Sequence, residues 1–137
     1  MLMVKSNADT EAGKVPSMEL VEAMGKFNEE MVKAGVLLAA EGLQASSKGA
    51  KIKFAPAQKP VAVDGPFTET KELIAGFWLI QVKSKEEAIA WALRSPAPHG
   101  RDEPAEIEIR RVYDPSDFGT AENEQALRDE IAKRTLK

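Results

Sequence analysis

Three carboxylates and one lysine fall within the nine residues Asp64-Gly65-Pro66-Phe67-Thr68-Glu69-Thr70-Lys71-Glu72. A carboxylate at a pocket can accept a proton or a hydrogen bond, and a lysine can orient an anionic ligand. Asp64 has two readings. As a turn residue it bonds the backbone ahead of it, with Gly65 supplying dihedral freedom and Pro66 keeping the loop extended. As a functional group it is a proton acceptor at the mouth of a cavity. In an extended segment Glu69 and Lys71 share one face and can pair, or Lys71 can steer an acidic ligand. His99 is the chain's one histidine and the one side chain that ordinarily titrates near neutrality, which makes it a candidate acid or base beside Asp64. Glu41 follows an apolar run and precedes Gly42, so its carboxylate either bonds backbone amides or faces a cavity. Trp78, with Phe77 and Trp91, suits a core or a dimer interface. As a ligand-contacting group, Trp78 joins Glu41 and Lys71.

The remaining chemistry is bounded by absences in the sequence. The chain has no cysteine, which rules out disulfides and thiolate chemistry, and one histidine argues against a histidine zinc site. No phosphate loop, nucleotide fingerprint or nucleophile elbow occurs, so neither metal nor cofactor is expected. A net charge of -3 with a pI near 5.3 offers no basic field for nucleic acid. No apolar run approaches the roughly 18 residues of a membrane span, and the first residues do not read as a signal peptide. A cytoplasmic protein is expected. Its 137 residues suit one globular domain.

These groups need elements to position them. Residues 1–5 read as a first strand, and 7–16 as a polar connection. Ser17 caps a helix whose apolar stripe is Leu20, Met24, Phe27 and Met31, ending at Gly35. Residues 36–40 are continuously apolar and read as a strand buried on both faces. Residues 42–49 form a loop, and 51–54 with 60–63 form a small hairpin. The strongest strand is 74–82, with Phe77 and Leu79 on one face and Trp78 and Ile80 on the other. Ser84 and Glu87 form a capping box for a second helix, with Ala88, Ile89, Ala92 and Leu93 as its buried stripe. Pro96 and Pro98 prevent its continuation. Alternation over 105–112 predicts a strand with one wet face. Asp114-Pro115 opens a charged helical tail, 114–137, with acid-first pairs Glu124–Arg128, Asp129–Lys133 and Glu130–Arg134. Leu127 and Ile131 are its apolar stripe, with Ala126 and Leu136 as extras.

The order is β-α-β, a small hairpin, β-α-β and a tail. It suggests a ferredoxin-like α+β fold of the βαββαβ type over 1–113. Helices in that plan cover one sheet face, yet the 74–82 strand is apolar on both. Exposing Phe77 or Trp78 would forfeit roughly 2 kcal/mol each. A homodimer packing sheet on sheet resolves this, and the tail folding back over the sheet is the rival.

Val63-Asp64-Gly65-Pro66-Phe67-Thr68-Glu69-Thr70-Lys71-Glu72, followed by Gly76-Phe77-Trp78-Leu79-Ile80, resembles the signature of the DGPF-domain proteins, which group with the YCII-related proteins. Ala34-Gly35-Val36-Leu37-Leu38, Glu41-Gly42-Leu43 and Glu86-Glu87-Ala88-Ile89-Ala90-Trp91 resemble the same family. The resemblance implies a dimeric α+β barrel of ferredoxin-like subunits. It implies a small-molecule ligand or an undefined enzymatic activity, since relatives hold a His-Asp pair in a pocket. It also implies an alternative, a non-catalytic regulatory module with a sigma-factor partner of the extracytoplasmic-function class. His99 does not align securely with the relatives' histidine.

Overall fold

The computed structural model describes residues 1–118 and 121–135. A four-stranded antiparallel sheet carries β1 (Leu2–Lys5), β2 (Leu37–Gly42), β5 (Ile74–Ile80) and β6 (Ile107–Ile109) in the order β2-β5-β1-β6. A separate two-stranded hairpin, β3 (Ala50–Lys53) with β4 (Val61–Asp64), is inserted between β2 and β5. Helices α2 (Met18–Lys33) and α3 (Lys85–Leu93) complete the ferredoxin-like β-α-β, β-α-β order.

Ser17 caps α2 by accepting from Leu20 N at 3.2 Å. The α2 stripe buries Phe27 and Met31 against Leu2, Val4, Val36 and Trp78. Phe27 meets Trp78 edge-on with ring centroids 5.5 Å apart. Leu2 pairs with Trp78 and Val4 with Gly76, which puts these residues on the helix-covered face. Trp78 therefore finds its cover within the chain and does not itself demand a partner. Met3, Phe77 and Glu41 lie on the other face, because Met3 and Glu41 are each in register with Phe77.

Several expectations need correction. Residues 36–40 are not buried on both faces: Leu38 is 59% exposed, at a register shift between Leu37 and Ala39. The strand also runs on to Gly42, so Glu41 lies inside β2 rather than after it. Ala88, Trp91 and Ala92 form the inner stripe of α3, whereas Leu93 is 81% exposed and Ile89 sits at the helix surface. Both stripes contain Ala88 and Ala92, but the inner face turns toward Trp91, at i, i+3, i+4 from Ala88, and away from Ile89 and Leu93. Ser84 caps α3 as expected, its Oγ accepting from Glu87 N, and only the reciprocal bond shifts, Glu87 Oε2 accepting from Lys83 N in place of Ser84 N. The strand expected over 105–112 shortens to three residues. Its ladder partner β1 is itself short, and backbone bonds Lys5 N to Glu106 O and Arg110 N to Met1 O close the two ends. The polar connection holds a short helix, α1 (Ala8–Glu11), capped by Asn7.

The tail begins with a 3-10 turn, Pro115–Phe118, followed by α4 (Ala121–Thr135). Asp114 Oδ1 accepts from Ser116 N and Oγ, bonds that hold its carboxyl below the usual range. Glu130 and Arg134 pair at 2.6 Å, while Arg128 donates to Tyr113 O. The Glu124 side chain and Leu136 lie outside what is described. Leu127 and Ile131 are both more than half exposed, so this helix does not bury its stripe on the sheet.

Candidate functional site

A cavity of about 840 Å³ opens between α2 and the helix-covered face of the sheet. Leu20, Met24 and Asn28 of α2 form one wall, and Val4, Ala40, Gly76 and Trp78 form the sheet wall. Residues from 7–17, 43–48 and 98–103 ring the opening. Leu20 and Met24 belong to the apolar stripe yet stay half-buried, because they face this space. Gly76 permits the close approach of β2: a Cβ there would lie 2.9 Å from the Glu41 carbonyl oxygen.

His99 lies in the loop after α3, beyond Pro96 and Pro98, and its ring is half-buried in the cavity lining. Its Nε2 is 2.7 Å from the Lys5 carbonyl oxygen. A carbonyl only accepts, so Nε2 carries the proton and Nδ1 is the acceptor of the neutral ring. A backbone carbonyl on β1 thus orients the imidazole, the task a carboxylate performs in many His-Asp pairs.

Asn28 accepts from Trp78 Nε1 through Oδ1 at 2.7 Å. Asn7 Oδ1 accepts from Thr10 N at 2.8 Å and Thr10 Oγ1 at 2.9 Å. Both asparagines line the cavity. At the rim, Asp9 pairs with Lys14 at 3.7 Å, and Lys48, Glu41 and Glu103 are exposed. Among the described residues, no group of three or more histidines and carboxylates could hold a metal ion.

The cavity brings together Glu41, Trp78 and His99 of the residues singled out in the sequence. Glu41 contributes at the rim, being in register with Phe77 on the far face. Asp64 and Lys71 are elsewhere. Asp64 is exposed at the end of β4, paired with Ala50, and its side chain accepts no hydrogen bond among the described residues. Lys71 is exposed in the 3-10 turn Thr70–Glu72, not in an extended segment, and makes no ion pair with Glu69.

The residues after Asp64 form a clamp. Gly65 N donates to Gly49 O at 3.0 Å, and Phe67 N donates to Ser46 Oγ at 3.0 Å. The peptide bond between Gly65 and Pro66 is cis. Ser46 in turn gives its N–H and its hydroxyl to the Glu11 carboxylate. The clamp therefore joins the hairpin to α1 and to residues 43–48, two segments that ring the cavity. Lys51 Nζ sits 4.2 Å from the Phe67 ring centroid and covers that side.

Residues 1–114 match a family model described as the YCII-related domain. The chain belongs to the YCII-related family. A search of the curated proteins returns no match. The matched region of this YCII-related chain contains the whole sheet, the hairpin and the cavity, and stops at Asp114, where the 3-10 turn is capped.

Asn7 and Asn28 escaped the reading of the sequence, although each left a signal. Asn28 sits four residues after Met24 and three before Met31, a polar side chain on an otherwise apolar stripe. Asn7 precedes Thr10 by three residues, the spacing of a helix cap.

Proposed function

We propose that this YCII-related chain binds a small molecule in the cavity, against His99, which takes a proton or hydrogen bond from it. The observation that carries this is the bond from Nε2 to Lys5 O, which leaves Nδ1 as the acceptor of a ring lining a largely apolar space. A small-molecule collection screened by thermal shift tests it. Compounds that raise the midpoint of the wild type should lose their effect in Ala40→Phe, which fills the floor beside Trp78. His99→Gln should abolish turnover of any bound compound that the protein converts. Equal shifts in the filled variant would sink the reading.

The functional unit is a homodimer joined through the open sheet face. Phe77 and Leu79 are only half-buried there, Leu38 is exposed, and the α4 stripe leaves them uncovered. Leu79→Glu is expected to sediment as a monomer, while a chain ending at Asp114 remains dimeric. A monomeric truncation would instead assign the cover to the tail.

A further inference from the structure

The charged residues of the cavity lining, Asp9, Lys14, Glu41, Lys48 and Glu103, are all exposed and belong to the rim. Its buried and half-buried lining is uncharged. The polar groups there are few, and their hydrogen bonds assign their orientation. Asn28 turns its oxygen to the Trp78 N–H, so its two amide hydrogens remain. Asn7 turns its oxygen to Thr10, with the same result. Neither amide nitrogen has an acceptor among the described residues. His99 contributes the opposite polarity, a ring acceptor with no protein donor among those residues.

On the reading that this cavity takes a ligand, we infer the ligand's class: an apolar body whose buried head is an uncharged carbonyl group bearing a hydrogen-bond donor, as in a carboxamide. The carbonyl oxygen accepts from the asparagine amides, and the head's own N–H or O–H donates to His99 Nδ1. A carboxylate would set an acceptor against the Nδ1 of the neutral ring and would need that ring protonated, whereas an amide N–H meets the neutral ring directly. An ammonium would set a cation against four amide N–H bonds. Either ion would leave water for an interior with no countercharge.

Calorimetric titration of the intact chain with 2-naphthamide, 2-naphthoate and 2-naphthylmethylamine in neutral buffer tests this. The first two have nearly the same shape and differ in charge. The amide should bind about tenfold or more tightly than either ion. Asn28→Asp and Asn7→Asp keep the oxygen that Trp78 or Thr10 uses and replace the amide donors with an acceptor. Each should weaken naphthamide about tenfold. Asn7→Asp should keep the thermal midpoint near that of the wild type, whereas Asn28→Asp lowers it by setting a carboxylate against the apolar wall. Should Asn28→Asp fail to fold, Asn7→Asp decides, because an aspartate caps α1 as well as an asparagine does. Naphthoate binding as tightly as naphthamide, or unchanged naphthamide affinity in the folded variants, overturns the inference and leaves the cavity as a ligand site. Failure of all three probes to bind overturns the ligand-site reading as well.

Discussion

Trp78→Ala is expected to lower the unfolding free energy by about 3–5 kcal/mol, the cost of emptying a large aromatic site in a core. The effect has three sources. The indole is 5% exposed and fills the space between β5 and α2. It provides the edge-on contact with Phe27. Its Nε1–H also satisfies Asn28 Oδ1, which would otherwise face an apolar wall. Trp78→Phe separates these contributions. It keeps an aromatic ring beside Phe27 and removes the hydrogen bond, so it should cost less. Urea denaturation monitored by circular dichroism measures both. An alanine variant within about 1 kcal/mol of the wild type would show that the sheet wall collapses onto the vacated site, because the cost of a truncation depends on how well the site closes.

Gly65→Ala is expected to destabilise by about 2–4 kcal/mol, the range of substitutions that force backbone apart. A Cβ at this position would lie 1.8 Å from the Ser46 carbonyl oxygen and 2.6 Å from its carbonyl carbon. Both atoms are backbone, so no side chain can rotate away. The hairpin must move off residues 46–49, which breaks the bonds from Gly65 N to Gly49 O and from Phe67 N to Ser46 Oγ. Limited proteolysis should then cut within 43–72 before the rest of the chain. Asp64→Ala offers the contrast. Its carboxylate is exposed and holds no hydrogen bond among the described residues, so the fold should barely register the change. A Gly65→Ala variant with wild-type stability and proteolysis would show that Ser46 yields easily and that the clamp is soft.

The periodic parts of the fold were legible in the sequence. The α2 stripe, its Ser17 cap and the alternation through Phe77 and Trp78 predicted both elements and the face each side chain takes, because local patterns of period 3.6 and 2 determine them. Continuous apolar runs were less informative. Residues 36–40 looked doubly buried, but burial of an edge strand depends on what lies beyond the chain's own helices. In α3, Ile89 and Leu93 outrank Ala88 and Ala92 in hydrophobicity, yet the alanines pack inward where helix and sheet lie close.

The site was less legible than the fold. His99 and Trp78 were found by residue type. The meeting of Trp78 with Asn28 depends on a contact across 50 residues, and that of His99 with Lys5 on one across 94, separations at which no local pattern speaks. Asp64 stood out because its neighbours are distinctive. What makes them distinctive is the close backbone approach at Gly65 and the bond at Phe67 N, a steric requirement that resembles a catalytic signature when only the letters are visible.

The register shift between Leu37 and Ala39 also governs how the sheet ends. β2 is one edge of the sheet, and its shift interrupts the even row of amides and carbonyls that another strand would need. The opposite edge, β6, is three residues long. Both borders are poor templates for strand addition. That is a safeguard against aggregation by sheet extension, in a chain whose apolar sheet face is partly open.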